Sequence, residues 1–501
     1  MKLLSSAQIR QWDQYTIQHE PVRPIELMER AARACTKWVL QNILAEKFYI
    51  FCGKGNNGGD GLAIARLLHG AGKICRVFVI EPEVKGSEEF NANFHNLYQL
   101  QSVPIVLLKT ETDFPALPHD VVIIDALFGT GLNRKLDDDV AMLVQYLNNS
   151  GNTIISIDMP SGLLNEESSA GNVVIKANHT LTFQCLKLAF LLAENESYIG
   201  QIHILDINLH PDFIDTIETR FQLVNRAKCQ SVLKPRNNFS HKGTFGHSLL
   251  IAGSFGKMGA AVLSAKACMK SGVGLLTCHI PKCGMNILQT AVPEAMCQAD
   301  DSEETISELA HELSKYNAAG IGPGIGTSDA AINLVQSLIA KYNQPMVFDA
   351  DALNILASRK ELLTHLPENT ILTPHPKEFA RLFGENLNDF QKIEKALAKA
   401  AELKLVVVLK GHYTFIATPS GEGYFNITGN PGMATGGAGD VLTGMITGLL
   451  AQGYSPADAA IVGVFLHGLA GDLAAGLHSM EAMTASDIVD MMGKAFKAVI
   501  E

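Results

Sequence analysis

The stretch "NPGMATGGAGDVLTG" (430–444) contains five glycines and a single charge, Asp440, and runs directly into a helical pattern. Successive backbone N–H groups without side chains form an anion cradle, and a helix N-terminus behind them adds positive potential. Gly436, Gly437 and Gly439 suit such a loop, because glycine reaches positive φ without strain. Asp440 is the odd element. A lone acid at a helix start is most often an N-cap, worth ~1 kcal/mol. Beside a phosphate it is harmful, unless it takes the proton from a hydroxyl that attacks phosphorus. Farther along the helix, Gly444 and Gly448 stand four apart and offer a flat face for close packing.

A second glycine loop, "GKGNNGGDG" (Gly53–Gly61), fits G-x-G-x-x-G through Gly53, Gly55 and Gly58. Glu81 ends the next apolar run, where a dinucleotide-binding fold carries its ribose-binding acid. Asp60 opposes a hydride-transfer reading: a carboxylate in the first helical turn competes with a pyrophosphate for the same positive end. Two further loops, "DALFGTGLNRK" (125–135) and "DMPSGL" (158–163), begin with Asp125 and Asp158, each ending an apolar run. A strand-end Asp is commonly a cap or turn former. Asn57, Asp125 and Ser161 together offer only oxygen ligands and one charge, which suits a monovalent cation better than Mg²⁺ or Zn²⁺.

These loops need a scaffold that brings them to one edge. Short apolar runs at 48–52, 75–80, 121–125 and 153–158 alternate with helical stretches, the pattern of a parallel sheet covered on both faces. The pattern fades from about 209 to about 238, then resumes with runs at 248–253, 318–322, 345–349, 370–374 and 405–411. We expect an α/β protein of two fused three-layer domains, 1–215 and 225–501, each with ligands beyond the carboxyl ends of its strands. A length of 501 residues agrees with more than one domain. The net charge of −11, with no basic patch, argues against nucleic acid. The start carries no signal core, and the longest apolar stretch, "AAIVGVFLHGLAG" (459–471), is too short to span a bilayer and holds His467, so a buried helix and no membrane are expected. Nine cysteines without a CxxC pair fit reduced thiols in a cytoplasm; Cys278 and Cys283 lack the second pair a zinc site needs.

Four motifs in order, "LMERAARA" (27–34), "GKGNNGGDGLAIAR", "DALFGTGL" and "DMPSG", resemble the N-terminal epimerase domain of the bacterial bifunctional NAD(P)H-hydrate repair enzymes. The resemblance covers roughly residues 1–210 and implies a Rossmann-like parallel sheet. It implies substrate contacts from Asn56, Asn57, Gly58, Gly59 and Asp60, and from Gly129, Thr130, Gly131, Leu132, Asn133, Arg134 and Lys135. Potassium is then held by Asn57, Asp125 and Ser161, and Asp158 contacts the substrate and moves a proton while the R and S hydrates interconvert. The alternative is a binding module, since the same fold serves as a non-catalytic domain in an RNA-decapping scaffold; Asp158 beside the complete Asn-Asn-Gly-Gly-Asp run favours an enzyme.

"GAGD" (437–440) resembles the ribokinase-like superfamily, and "TPHPKEF" (373–379) puts His375 and Glu378 where those kinases carry an N-x-x-E pattern that organises Mg²⁺ and phosphate. With "HKGTFGHSLLIAGSFGKMGAAVLSAKACMKSGVGLLT" (241–277), "GIGPGIG" (320–326) and "VLKGHYT" (408–414), these strings resemble the NAD(P)H-hydrate dehydratase domain over about 230–501. That resemblance implies phosphorylation of the C6 hydroxyl of S-NADHX or S-NADPHX, then loss of phosphate to restore the reduced cofactor, with Asp440 as base. It implies hydrate contacts from Ala261, Gly324, His375 and Asp440, and nucleotide contacts from Lys410, Gly411, His412, Tyr413, Thr414 and Gly439. Fusion to the epimerase implies ADP with Mg²⁺ as phosphoryl donor, and a homo-oligomer. The rival reading is a vitamin-precursor kinase with a non-catalytic N-terminal binding domain. Asp349 and Asp351 follow a strand, where one of them serves to cap the next helix.

Overall fold

The computed structural model describes residues 1–80, 85–309 and 312–501. Glu81, the expected ribose-binding acid, lies outside the described residues. The chain divides into two compact units, one of Lys2–Thr219 with Asn388–Phe390, the other of Met1, Arg220–Leu387 and Gln391–Glu501.

The first unit carries the strands β1 (Lys47–Cys52), β2 (Ile74–Val79), β3 (Ile105–Leu107), β4 (Val121–Ala126), β5 (Ile154–Ile157), β6 (His179–Phe183) and β7 (Gln201–Leu205). The apolar runs at β4 and β5 are buried on both faces, whereas β3 and β7, at the sheet edges, are half-buried or exposed throughout. Every residue of β4 is buried. The sheet is parallel throughout, in the order β3-β2-β1-β4-β5-β6-β7. The chain winds one way from β1 to β3 and the other way from β4, so a crevice opens between the loops after β1 and β4. Those loops are the glycine-rich turn and "LFGTGLNRK".

The second unit carries β8 (Phe221–Val224), β9 (His247–Ile251), β10 (Leu275–Ile280), β11 (Met296–Ala299), β12 (Ala318–Ile321), β13 (Met346–Phe348), β14 (Ile371–Leu372), β15 (Val406–Leu409), β16 (Thr414–Ala417) and β17 (Gly423–Asn426). Their order is β8-β17-β16-β15-β14-β13-β12-β9-β10-β11. Strand β16 runs antiparallel to β15 and β17; the other pairs are parallel. Here β9 is the switch point, flanked by β10 and β12. Strand β8 falls in the stretch that reads as a poorly periodic junction: four residues, only two of them buried, leave little pattern, and pairing with β17 holds them.

Helix Ala438–Ala451 lies close on helix Met258–Lys270. A Cβ on Gly444 would collide with the Ser264 carbonyl oxygen, and one on Gly448 with Ser271 Oγ. The flat face read from the sequence is therefore used for packing. The apolar stretch at 459–471 extends into a 23-residue helix, Pro456–His478, long enough by length alone to cross a bilayer. It is apolar all round because Ile461, Val464, Leu466 and Ala470 are buried in the core.

Candidate active sites

In the first unit the chain leaves β1 and enters helix Asn56–Gly70 through a turn only glycine can make: a Cβ on Gly53 would strike the Leu127 carbonyl, and one on Gly58 the Gly53 carbonyl. Gly55 occupies the N-cap with no side chain to satisfy the first N–H groups. Asn57 is buried, and neither amide atom has a hydrogen-bond partner among the described residues. A buried amide left so is costly, which marks it as a group awaiting a ligand.

A cavity of about 670 Å³ lies over this turn. Of the residues expected at the substrate, Asn56, Asn57, Asp60, Gly129, Thr130, Gly131, Leu132, Asn133, Arg134 and Asp158 line it. Gly58, Gly59 and Lys135 do not; Gly59 faces Met28, with a Cβ there 2.8 Å from its sulfur. Asp125 and Ser161 sit behind the wall, both fully buried. Ser161 Oγ donates to Asp125 Oδ1 at 2.5 Å, while Ser156 Oγ and the Ser161 N–H donate to Oδ2 at 2.7 and 2.9 Å. Burial pushes the Asp125 carboxyl up, against the pull of those donors.

Asp158 follows β5 with φ of +64°, a left-handed conformation that is strained for Asp. Its Oδ1 meets the Lys187 ammonium at 2.8 Å and its Oδ2 accepts the Thr130 N–H at 3.2 Å. Burial opposes its ionisation, but the Lys187 charge and these hydrogen bonds outweigh that and hold it below the usual carboxylate range. Lys187 is wholly buried, and its ammonium also donates to Thr182 Oγ1 at 2.7 Å and the Phe183 carbonyl at 3.0 Å. Asp60 behaves oppositely: burial, then the Asp158 and Asp13 charges, push it well up. Lys187 and Asp13 escape the motif reading: Lys187 lies in the loop after β6, a strand the apolar runs do not single out, and Asp13 lies on helix Ser6–His19.

In the second unit, the glycine-rich loop reaches helix Ala438–Ala451 through Gly437, an N-cap at φ of +93°. Gly436 borders open space, and a Cβ on Gly439 would sit 3.6 Å from Lys410 Nζ. Lys410 extends from the end of β15 to Asp349 Oδ1 at 2.7 Å, and Thr443 Oγ1 donates to Asp349 Oδ2 at 2.7 Å. Asp349 stands at the N-cap of helix Ala350–Ser358 yet makes no side-chain cap bond; it faces the glycine loop instead. Burial would raise it, but Lys410 holds it below the usual range. Asp440, in the first helical turn, is pushed to about 6 by burial and then by the Asp349 charge, with Lys410 pulling the other way. Behind this turn His467, driven by burial to about 4, stays neutral and donates its Nε2–H to the Ala438 carbonyl at 3.0 Å.

The remaining expected contacts ring the same strand ends. His375 caps helix Pro376–Phe383: its Nδ1 accepts from the Lys377 and Glu378 N–H groups, and Glu378 Oε2 accepts the His375 N–H. The proton of a neutral His375 is thus on Nε2, 3.4 Å from Glu378 Oε1. The Gly324 carbonyl accepts from Ser254 Oγ, and Gly253 comes against Ala261, so the loops after β9 and β12 interlock. Asp351 accepts the Gly326 N–H at 2.8 Å. Gly411 and His412 are exposed beside Thr414, whose hydroxyl donates to the Gly411 carbonyl. Among the described residues no group of three or more His, Cys, Asp or Glu side chains is placed to hold a metal.

Two family models match, one described as NAD(P)H-hydrate dehydratase over residues 248–494, the other as YjeF-related protein N-terminus over 24–189. The bifunctional NAD(P)H-hydrate repair enzyme of Moorella thermoacetica is 35% identical, with 98% of this chain and 96% of that protein aligned. The Escherichia coli enzyme of the same name is 34% identical over 92% of this chain and 88% of its own. A solved ribokinase-like superfamily protein of Enterococcus faecalis is 30% identical, has a TM-score of 0.52, and covers 56% of this chain and 98% of its own. The two bifunctional relatives align over 98% and 92% of this chain, and so over both units. The chain belongs to the family of bifunctional NAD(P)H-hydrate repair enzymes.

Proposed function

We propose that the second unit dehydrates S-NADHX and S-NADPHX at the expense of ADP, and that the first interconverts their R and S forms. The observation that carries the dehydratase reading is Asp440 on the first turn of a helix whose bare N-terminus borders Lys410. The Gly436–Gly439 amides and Lys410 hold the phosphates, and the hydrate sits among Ala261, Gly324, His375 and Asp440. Asp440 takes the C6 hydroxyl proton as that oxygen attacks the β-phosphorus; the bond to the AMP oxygen breaks and AMP leaves. The C6–O bond then breaks, the ring nitrogen supplies electrons, a C5 proton departs, and NAD(P)H and inorganic phosphate remain. Mg²⁺ would reside chiefly on the nucleotide phosphates and water, as the sparse carboxylate set around the loop suits.

In the first unit the unpaired Asn57 amide, Asp125 and Ser161 fit potassium, an ion that takes oxygen ligands with little net charge. The cation would replace the hydroxyl hydrogen bond between Ser161 and Asp125 and anchor the loop that carries Gly129 and Thr130. Asp158, kept ionised by Lys187, is the base. Whole-chain relatives favour this reading over a vitamin-precursor kinase. The test supplies S-NADHX with β-labelled ADP. Label should appear in inorganic phosphate in step with NADH; NADH formed without AMP release would refute the phosphoryl-transfer reading.

A further inference from the structure

Asp13 remains unused in this scheme. It lies on helix Ser6–His19, an element separate from both the glycine-rich turn and the strand end that carries Asp158, yet it lines the same cavity. Asp158 and Asp125 are held by several donors, whereas Asp13 has no hydrogen bond or ion pair among the described residues. Of the other acids in the lining, Asp60 is deeply buried within the turn itself and Glu89 stands on the first turn of helix Glu88–Gln99; Asp13 is half-buried and open to the cavity.

Inverting a carbon that bears a hydroxyl beside a ring nitrogen needs two proton transfers. One helps the old oxygen leave, and the other takes a proton from the oxygen that arrives. Asp158 is ionised and supplies the second. Lys187 cannot supply the first, because an ammonium has three donors and all three are engaged, by Asp158, Thr182 and the Phe183 carbonyl. The acid must come from another cavity group. Asp13 faces Asp158, Asp60 and Lys187; Arg10 on its own helix, and Lys54, Lys85, Glu89 and Arg134 from other elements, share the lining. Burial and then the Asp158 charge push its carboxyl to about 7, so Asp13 and Asp158 favour opposite protonation states.

Resting on the epimerase reading above, we infer that Asp13 is a second catalytic acid–base of the epimerisation, paired with Asp158. In one direction the Asp13 carboxyl gives its proton to the C6 hydroxyl, the C6–O bond breaks, water leaves, and the nitrogen lone pair forms the C6=N1 bond. A water then adds to C6 from the other face, the C=N electron pair returns to nitrogen, and the water's proton passes to Asp158. One water leaves and one enters; one proton leaves Asp13 and one reaches Asp158. The reverse reaction, or exchange with solvent, restores the start.

The test uses the full chain, R-NADHX and ¹⁸O-water, with Asp13→Asn and Asp13→Glu beside the wild type. Both tryptophans, Trp12 and Trp38, lie in the first unit, so unchanged emission qualifies each variant as folded there. Wild type should place one solvent oxygen at C6 per inversion, with a rate that falls above pH about 7. Asp13→Asn should lose roughly 10²-fold or more and the high-pH limb with it, as loss of a general acid does; S-NADHX dehydration should not change. Asp13→Glu should restore part of the rate and keep the limb. Inversion without oxygen uptake, Asp13→Asn within threefold of wild type, or Asp13→Glu no better than Asn would overturn the inference alone. A wild-type chain that leaves R-NADHX untouched would overturn the epimerase reading and this inference together.

Discussion

Asp158 and Asp440 both sit at the carboxyl edge of a parallel sheet, and their neighbours push them in opposite directions. Lys187 keeps Asp158 charged, while burial and Asp349 raise Asp440 to about 6. A base works only when deprotonated, so dehydration should rise with pH through about 6 and level off above it; a rate independent of pH across that range would contradict Asp440 as the base. Lys187→Met should leave Asp158 buried without its counter-ion. Breaking a buried pair costs on the order of 3–5 kcal/mol, and the Asp158 carboxyl should rise, so epimerisation should need higher pH as well as slow down. A pH–rate profile that keeps its wild-type position would remove Lys187 from that role. The motif strings name Asp158 and Asp440 because Asp158 opens one recognisable loop and Asp440 closes another. Lys187, 29 residues beyond Asp158, carries no local mark, and Asp349, 61 residues before Lys410, is legible only as a strand-end Asp fit to cap a helix. Their roles exist only once the strands bring them together.

At the scale of elements, the glycines of 432–448 divide by what each faces. Gly444 and Gly448 touch the neighbouring helix, Gly437 takes left-handed backbone, and Gly436 faces open space. Gly444→Ala should push helix Ala438–Ala451 off helix Met258–Lys270 and destabilise the fold by ~1–3 kcal/mol, the usual cost of overpacking. Gly436→Ala should leave the denaturant midpoint within about 0.5 kcal/mol of wild type, as surface changes do. Equal effects from the two substitutions would refute this division. The apolar runs are legible as strands because parallel strands are buried on both faces. Strand β8 is not, being four residues with two buried, and the bare apolar length at 459–471 understates its helix because polar residues at both ends still continue the turn pattern.

For the molecule as a whole, two activities on one chain make chemical sense, because hydration gives both epimers and the proposed phosphoryl transfer uses one. Asp158→Asn should consume S-NADHX at the wild-type rate and then stall on the R form. Fast consumption of both forms by this variant would exclude Asp158 from epimerisation. The most direct test of the central claim gives the full chain a mixture of both NADHX epimers with ADP and follows NADH, AMP and phosphate together. The account predicts that all of the hydrate returns as NADH with one AMP and one phosphate each, and that Asp440→Asn returns almost none while still binding ADP. NADH recovered by Asp440→Asn at the wild-type rate, or recovered by wild type without AMP, would contradict it.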